Sequence, residues 1–294
     1  MRQSFVRFSW SGCTSGGSQM MAQESCSGRI STWPAGMFSG KTAIVTGASK
    51  GLGRATALEL GRLGANVVLA ARKRPGLEAT AEAIEKAGGK ALVVPCDVSR
   101  AEAVEEMVKE ALAAFGRVDM LVNNAGIQGK IAWVVDYDPD EWDRILAVNL
   151  KSVFLCCRAV LPGMIERRAG KIVNVAAGVM EERVDYGVAA YYASKAAVVN
   201  FTRQLAAEVK RYRVFVNAID PAGMDTGLSD EIIAVEKASD EFAGTQTNKN
   251  PEIRLRPPEA VVPMIIYLLS EASDMMTGRL LQASSPDDVQ YLQL

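Results

Sequence analysis

The sequence predicts one three-layer α/β domain, doubly wound around a parallel sheet. Three observations carry this. From Lys41 onward, short apolar runs alternate with helical stretches. The runs are apolar throughout, as in strands buried on both faces. Strands that alternate with helices are joined by right-handed crossovers, which makes the sheet parallel. No internal repeat or low-complexity linker interrupts the series.

The elements follow in order. "TAIVT" (42–46) is a first strand that ends in glycines, and a helix runs from Gly53 to Leu63. "VVLAA" (67–71) is a second strand, followed by a charged helix from Gly76 to Ala87. After the strand "ALVVP" (91–95), Ser99 and Glu102 have capping-box spacing. The helix they open carries Val104, Met107, Val108, Ala111, Leu112 and Phe115 on one face. "VDMLV" (118–122) is a fourth strand. Asp138-Pro139 with Glu141 marks another helix start, running into the Cys156 region. "KIVNVA" (171–176), a helix through 190–211, "VFVNAI" (214–219) and a helix near 258–270 complete the series.

Composition narrows the chemistry. The 294-residue chain is 49% hydrophobic and 23% charged, with a net charge of −1. That balance gives no electrostatic reason to expect nucleic acid or an anionic membrane as a partner. The runs "VVPMIIYLLS" and "VFLCCRAVLPGMI" are too short to span a membrane or contain Arg158. The chain has no histidine. A Ser-His-Asp triad, a Cys-His pair and an imidazole metal site are therefore excluded. No two of the five cysteines have CxxC spacing. They read as reduced thiols of a cytoplasmic protein, with no metal site.

Residues 1–36 differ from the rest. They are rich in Ser and Gly, and their first acidic residue is Glu24. A flexible tail, a start codon assigned too early, and an organelle-targeting peptide all fit. The domain is expected over 37–294.

Two stretches carry chemistry. "TGASKGLG" (46–53) follows the first strand and opens the first helix. Such a loop turns backbone N–H groups and a helix N-terminus toward a pyrophosphate, with glycine wherever a Cβ would block the approach. Gly47, Gly51 and Gly53 are spaced G-x-x-x-G-x-G, unlike the commoner G-x-G-x-x-G. In "AAYYASKAA" (189–197), Tyr191 stands four residues before Lys195, so the two share a helix face. Tyr192 points about 100° away. A free phenol has a pKa near ~10, and a cation beside it favours the phenolate. The plainer alternative is an interface helix with a packed tyrosine and a solvated lysine.

With "CDVS" (96–99), "NNAG" (123–126), "VNL" (148–150), "YYASK" (191–195) and "NAIDPAGMDT" (217–226) in this order, the chain resembles the short-chain dehydrogenase/reductase family over residues 38–282. It is similar to the 3-oxoacyl-carrier-protein-reductase-like branch. The resemblance implies a Rossmann-type fold and hydride transfer between a nicotinamide and a carbonyl or alcohol substrate. It makes Tyr191 the general acid/base, with Lys195 and the positive charge of an oxidised nicotinamide lowering its pKa, Lys195 holding the nicotinamide ribose, and Asn149 tied to Lys195 by a water chain. It lines the cofactor with Gly47, Ser49, Lys50, Gly51, Leu52, Gly53, Asp97, Val98, Asn124, Ala125, Gly126, Pro221 and Thr226, together with Tyr191 and Lys195. The family's acidic residue at the end of the second strand is missing. Arg72 stands there, with Lys50 nearby in the glycine loop, so NADP(H) is expected over NAD(H). The alternative for Arg72 and Lys73 is a solvated basic turn before Pro75.

The sequence departs from the family in three further places. The serine that orients the substrate oxygen is replaced by Ala177, and no Ser or Thr occurs between Val153 and Tyr192. Losing such a donor costs about 3–4 kcal/mol. Tyr192 or a water is a candidate replacement. Ala222 stands where glycine is usual. The ending "TGRLLQASS" departs from the family's, which bears on a tetramer. A homodimer through helices 139–160 and 190–211, or a homotetramer, is expected. The polar stretch 227–257 occupies the lid position. Two functions follow: an NADP(H)-dependent oxidoreductase, or a cofactor-binding homologue with weak or no catalysis.

Overall fold

The computed structural model describes residues 33–177, 187–222, 224, 256–283 and 289–292. The leader through residue 32, most of the lid stretch and Thr226 lie outside them.

The strands are β1 (Thr42–Thr46), β2 (Asn66–Ala71), β3 (Lys90–Pro95), β4 (Met120–Asn123), β5 (Gly170–Val175), β6 (Val214–Asp220), β7 (Leu280–Ala283) and β8 (Val289–Leu292). They form one sheet in the order β3-β2-β1-β4-β5-β6-β7-β8. Every pairing from β3 to β7 is parallel, and β8 is antiparallel to β7. The helices are α1 (Gly51–Arg62), α2 (Arg74–Lys86), α3 (Ala101–Phe115), α4 (Pro139–Leu146), α5 (Ser152–Arg167), α6 (Ala189–Val209) and α7 (Val262–Leu269). This is the doubly wound, Rossmann-type, single-domain architecture expected from the alternation of elements.

Successive strand residues feed opposite layers. Val45, Leu69, Val173 and Ile219 join the core with α1, α2 and α7. Ile44, Val68, Leu121, Ile172 and Val216 join the core with α3, α5 and α6. That double demand explains the unbroken apolar runs. At the amino end of the described chain, Trp33 and Met37 pack against the first core, and the Phe38 amide donates to the Leu63 carbonyl oxygen at 2.9 Å.

Four details differ from the sequence reading. The capping box at Ser99 is not made. The cap residue of α3 is Arg100 and provides no side-chain hydrogen bond. Ser99 instead gives its amide and hydroxyl to Asp97 Oδ1, at 3.0 and 2.7 Å. The local turn captured the residue that the helix was expected to use. By contrast, the Asp138 cap of α4 is made, accepting from the Asp140 amide at 3.0 Å.

β7 and β8 were not anticipated, because each is a four-residue strand behind long polar sequence. The final helix is shorter than expected, beginning only at Val262 after a 3-10 turn at Pro258–Ala260. Finally, α4 and α5 form one continuous 29-residue helix, Pro139–Arg167, long and apolar enough by composition to cross a membrane. Its Val153, Leu155, Cys156, Val160 and Met164 are buried under the sheet, so core packing accounts for its hydropathy.

Candidate active site

Neighbouring strands β1 and β4 leave the sheet toward opposite sides, and the crevice lies at their carboxyl ends. The glycine loop and the 124–126 loop meet there. Thr46, buried at the end of β1, accepts from the amides of Asn124 and Ala125 at 3.0 Å each. Asn124 Nδ2 donates back to the Thr46 carbonyl oxygen at 2.9 Å. Gly47 has φ +67°, and a Cβ on it would come within 2.7 Å of Asn124 Nδ2. A Cβ on Gly53 would strike the Gly47 carbonyl oxygen. The two loops therefore close on each other only with glycine at these positions.

The N-terminus of α1 faces the crevice rim. Its cap residue, Lys50, makes no side-chain cap bond, and no acidic residue stands in its first turn. Free N–H groups and the helix dipole thus suit an anion. Ser49 lies against α2, since a Cβ on Gly76 would reach Ser49 Cβ at 2.9 Å. Thr80 Oγ1 of α2 donates to the Ala48 carbonyl oxygen at 3.1 Å. Leu52 differs from its loop neighbours, with its side chain buried in the first core. Lys50 and Arg72 are exposed, one on the glycine loop and one just after β2. Asp97 follows β3. Ser99 holds its carboxyl below the usual range, with smaller contributions from Arg72 and Arg100. Val98 is buried beside it in the second core.

Between α4 and α5, Ala147–Lys151 is a π-helical turn, and it presents Asn149 inward, 1% exposed. Asn149 Oδ1 accepts from the Ile127 amide at 2.8 Å. Its Nδ2 donates to the Ile127 carbonyl oxygen at 2.8 Å and to Ser194 Oγ at 3.0 Å. Ser194 donates to the Tyr191 carbonyl oxygen at 2.6 Å. Asn149 thus reaches α6 through Ser194 rather than by direct contact with Lys195. Ser194 lies inside "YYASK", where spacing alone gives it no role.

Tyr191 and Lys195 lie one turn apart on α6 as expected, both buried, at 7% and 4% exposure. Lys195 Nζ stands 5.8 Å from the Tyr191 ring centroid and donates to the Val175 carbonyl oxygen at 2.8 Å. A Cβ on Gly126 would lie 3.4 Å from both Lys195 Nζ and Asn149 Oδ1. The three residues converge on the loop after β4. Tyr191 packs with Val188, and Ile131, Ala177 and Tyr192 pack against this pair. The two tyrosine rings meet edge-on at 5.5 Å. Tyr192 therefore belongs to the same cluster although its helix position points elsewhere. Ala177 brings a methyl group and no donor.

Burial dominates the titration of the pair. It pushes the Tyr191 phenol well up and the Lys195 ammonium down to about 8. Desolvation is the largest effect on the phenol here, and the lowering expected from Lys195 with an oxidised nicotinamide is a property of the loaded site. Asp220 adds to the rise of Tyr191 and opposes the fall of Lys195. Asp220 was not singled out in the sequence, although "NAIDP" places an acid at the end of an apolar strand. It is 1% exposed, and its Oδ1 accepts from the Ala222 amide at 3.0 Å. Pro221 is buried between them, and Ala222 adopts φ +54°.

Of the cysteines, Cys96, Cys156 and Cys157 are buried free thiols. Burial pushes Cys96 up to about 11 and Cys157 up to about 12. No group of three or more His, Cys, Asp or Glu among the described residues is placed to hold a metal.

A family model described as short chain dehydrogenase matches residues 41–237. The chain is 34% identical over 248 residues to the short chain dehydrogenase/reductase astE of Aspergillus oryzae, covering 84% of this chain and 94% of that protein. It is 34% identical over 242 residues to the 3-oxoacyl-acyl-carrier-protein reductase FabG of Thermotoga maritima, covering 82% and 95%. The solved structure of an NAD+-bound xylitol dehydrogenase superposes with a TM-score of 0.73 at 32% identity, covering 83% and 98%. The glycine cradle, the inward asparagine and the Tyr–Lys turn thus stand in a chain that covers nearly the whole length of these dehydrogenases and reductases, and the chain belongs to the short chain dehydrogenase family of oxidoreductases.

Proposed function

We propose that the protein is an NADP(H)-dependent oxidoreductase in which Tyr191 exchanges a proton with the oxygen of a carbonyl or alcohol substrate. The observation that carries this is the buried Tyr191–Lys195 pair beside Gly126, at the carboxyl end of the sheet. Burial keeps the phenol protonated at neutral pH, and a protonated phenol is the form that can give a proton to a carbonyl oxygen. Lys195 stands one turn away as the nearby cation. Asn149 fixes the Ile127 backbone and, through Ser194, the turn of α6 that carries both.

The crevice suits the pyrophosphate of a dinucleotide, because the N-terminus of α1 at its rim has no side-chain cap and no acidic residue in its first turn. When bound, the nicotinamide supplies or accepts the hydride. Gly47, Ser49, Gly51, Gly53 and the first amides of α1 would hold the pyrophosphate, with the Leu52 backbone among them. Arg72 and Lys50 would face a 2′-phosphate. Asp97 and Val98 would border the adenine. Asn124, Ala125, Gly126 and Pro221 would line the remainder, with Thr226 beyond the described residues. The substrate would meet an apolar wall of Ile131, Ala177, Val188 and Tyr192. Phe154 of α5 is 46% exposed and meets Phe201 of α6 edge-on, which supports a homo-oligomer through these helices.

Ala177 favours a second reading, a cofactor-binding homologue with weak catalysis, since it offers no hydroxyl beside Tyr191. Oxidation of NADPH and of NADH against ketones, β-ketoacyl thioesters and keto-sugars separates the two. NADPH-linked turnover of at least one ketone is expected. Tight NADPH binding without turnover anywhere on the panel would support the second reading.

A further inference from the structure

Lys195 poses an electrostatic problem. An ammonium that is 4% exposed has lost nearly all its water, and one carbonyl oxygen does not compensate for that. A buried cation stays charged only with an opposite charge close by. The sheet provides one. Val175, whose carbonyl oxygen holds Lys195, is registered with Ile219 of β6, and the next residue is Asp220. Along β6, Val214 and Val216 face the α3, α5 and α6 layer, and Ala218 clusters with Ala176 and with Val199 of α6. Alternation therefore puts Asp220 on the same side, toward α6, at the level of Lys195. Asp220 is itself 1% exposed.

We propose that Asp220 is the counter-charge of Lys195, a positioning residue that keeps the buried ammonium protonated at neutral pH and so sets the upper pH limit of the reaction. The proposal rests on the oxidoreductase reading above and names a charge that this reading does not use. The groups that face the ammonium from each neighbouring element are few among the described residues. Tyr191 faces it on α6 itself and Asp220 from β6. The π turn presents the uncharged Asn149, β5 a backbone carbonyl, and the loop after β4 the glycine at 126. The direction of both titrations agrees, since Asp220 holds Lys195 up against desolvation.

Asp220 also accepts a turn bond from the Ala222 amide. Asp220→Asn keeps an oxygen for that bond and removes only the charge. The side-chain nitrogen of Lys195 is followed by 15N NMR in lysine-labelled full-length protein, identified by its loss in Lys195→Arg. A wild-type midpoint near 8 is expected, falling by about one pH unit or more in Asp220→Asn. The basic limb of kcat/KM should move down with it, while Asp220→Glu keeps both high. If Asp220→Asn does not fold, Asp220→Ser removes the charge and still offers a hydroxyl oxygen to the turn. A midpoint unchanged by charge removal would overturn the proposal, and so would a wild-type Lys195 already neutral at pH 7. Tyr191→Phe keeps the two ideas apart. If it abolishes turnover while charge removal at 220 leaves the basic limb in place, the counter-charge fails and the oxidoreductase reading stands.

Discussion

The ammonium of Lys195 donates to the carbonyl oxygen of Val175 across 2.8 Å, tying α6 to the last residue of β5. The bond fixes the height of α6 against the sheet, and with it the position of Tyr191 one turn earlier. The same burial makes Lys195 costly to fold as a cation. Its folded pKa lies near 8, below its ordinary value of 10.5. Between those values the unfolded chain holds a proton that the folded chain has released, so stability rises with pH there. Below the window the ammonium is destabilising. Wild type should therefore gain on Lys195→Met by up to about 3 kcal/mol from pH 8 to pH 10.5. Urea unfolding of both proteins across that range checks it. A constant difference would mean that Lys195 titrates normally. Tyr191 works the other way, because its raised pKa costs stability only above the ordinary phenol range.

Ala222 holds φ +54°, a left-handed conformation that a Cβ disfavours. Asp220 stabilises the turn through the Ala222 amide. Ala222→Gly should raise stability by about 0.5–1 kcal/mol, because the relief of αL strain exceeds the added entropy of the unfolded chain. Thermal unfolding of the two proteins under one set of conditions measures it. A lower melting temperature in the glycine variant would show that this turn carries no strain.

Arg72 and Lys50 are exposed, on the two segments that border the α1 N-terminus. Arg72→Ala should weaken NADPH binding about tenfold and leave NADH binding nearly unchanged, as expected for a charge-assisted contact to the 2′-phosphate. Titrating each cofactor by fluorescence gives both constants. Equal wild-type affinities would end the case for NADP(H) preference.

Ala177 packs against the cluster around Tyr191. A hydroxyl introduced by Ala177→Ser should raise kcat by up to about a hundredfold if the oxyanion lacks a donor. Steady-state kinetics on the best panel ketone reads this directly. An unchanged kcat would mean that another donor, with Tyr192 the nearest candidate, already fills the place.

Much of this arrangement was legible from residue order alone. The apolar runs located six strands because each must feed two cores, and the four-residue spacing put Tyr191 and Lys195 on one face. Short-range spacing could not show what tertiary packing decides. Ser99 capped its own turn instead of α3. Tyr192 joined the Tyr191 cluster because its ring bends edge-on across the helix face. β7 and β8 are too short to stand out from their polar surroundings. Spacing shows the lysine beside Tyr191 and not the desolvation that burial imposes on the phenol. Asp220 was visible as an acid at the end of an apolar strand, but only the sheet register shows that it follows Ile219, the partner of the Val175 that Lys195 holds.

The central claim is that Tyr191 carries the proton, and Tyr191→Phe tests it most directly. The ring and its packing remain, and only the hydroxyl goes. NADPH oxidation by wild type and Tyr191→Phe is compared on the same ketone, with NADPH binding measured in parallel. The predicted result is a loss of turnover by at least about a hundredfold with cofactor binding nearly intact. Full turnover in Tyr191→Phe would contradict the account, because the proton would then have to come from another group, with Tyr192 of the same cluster the first to test.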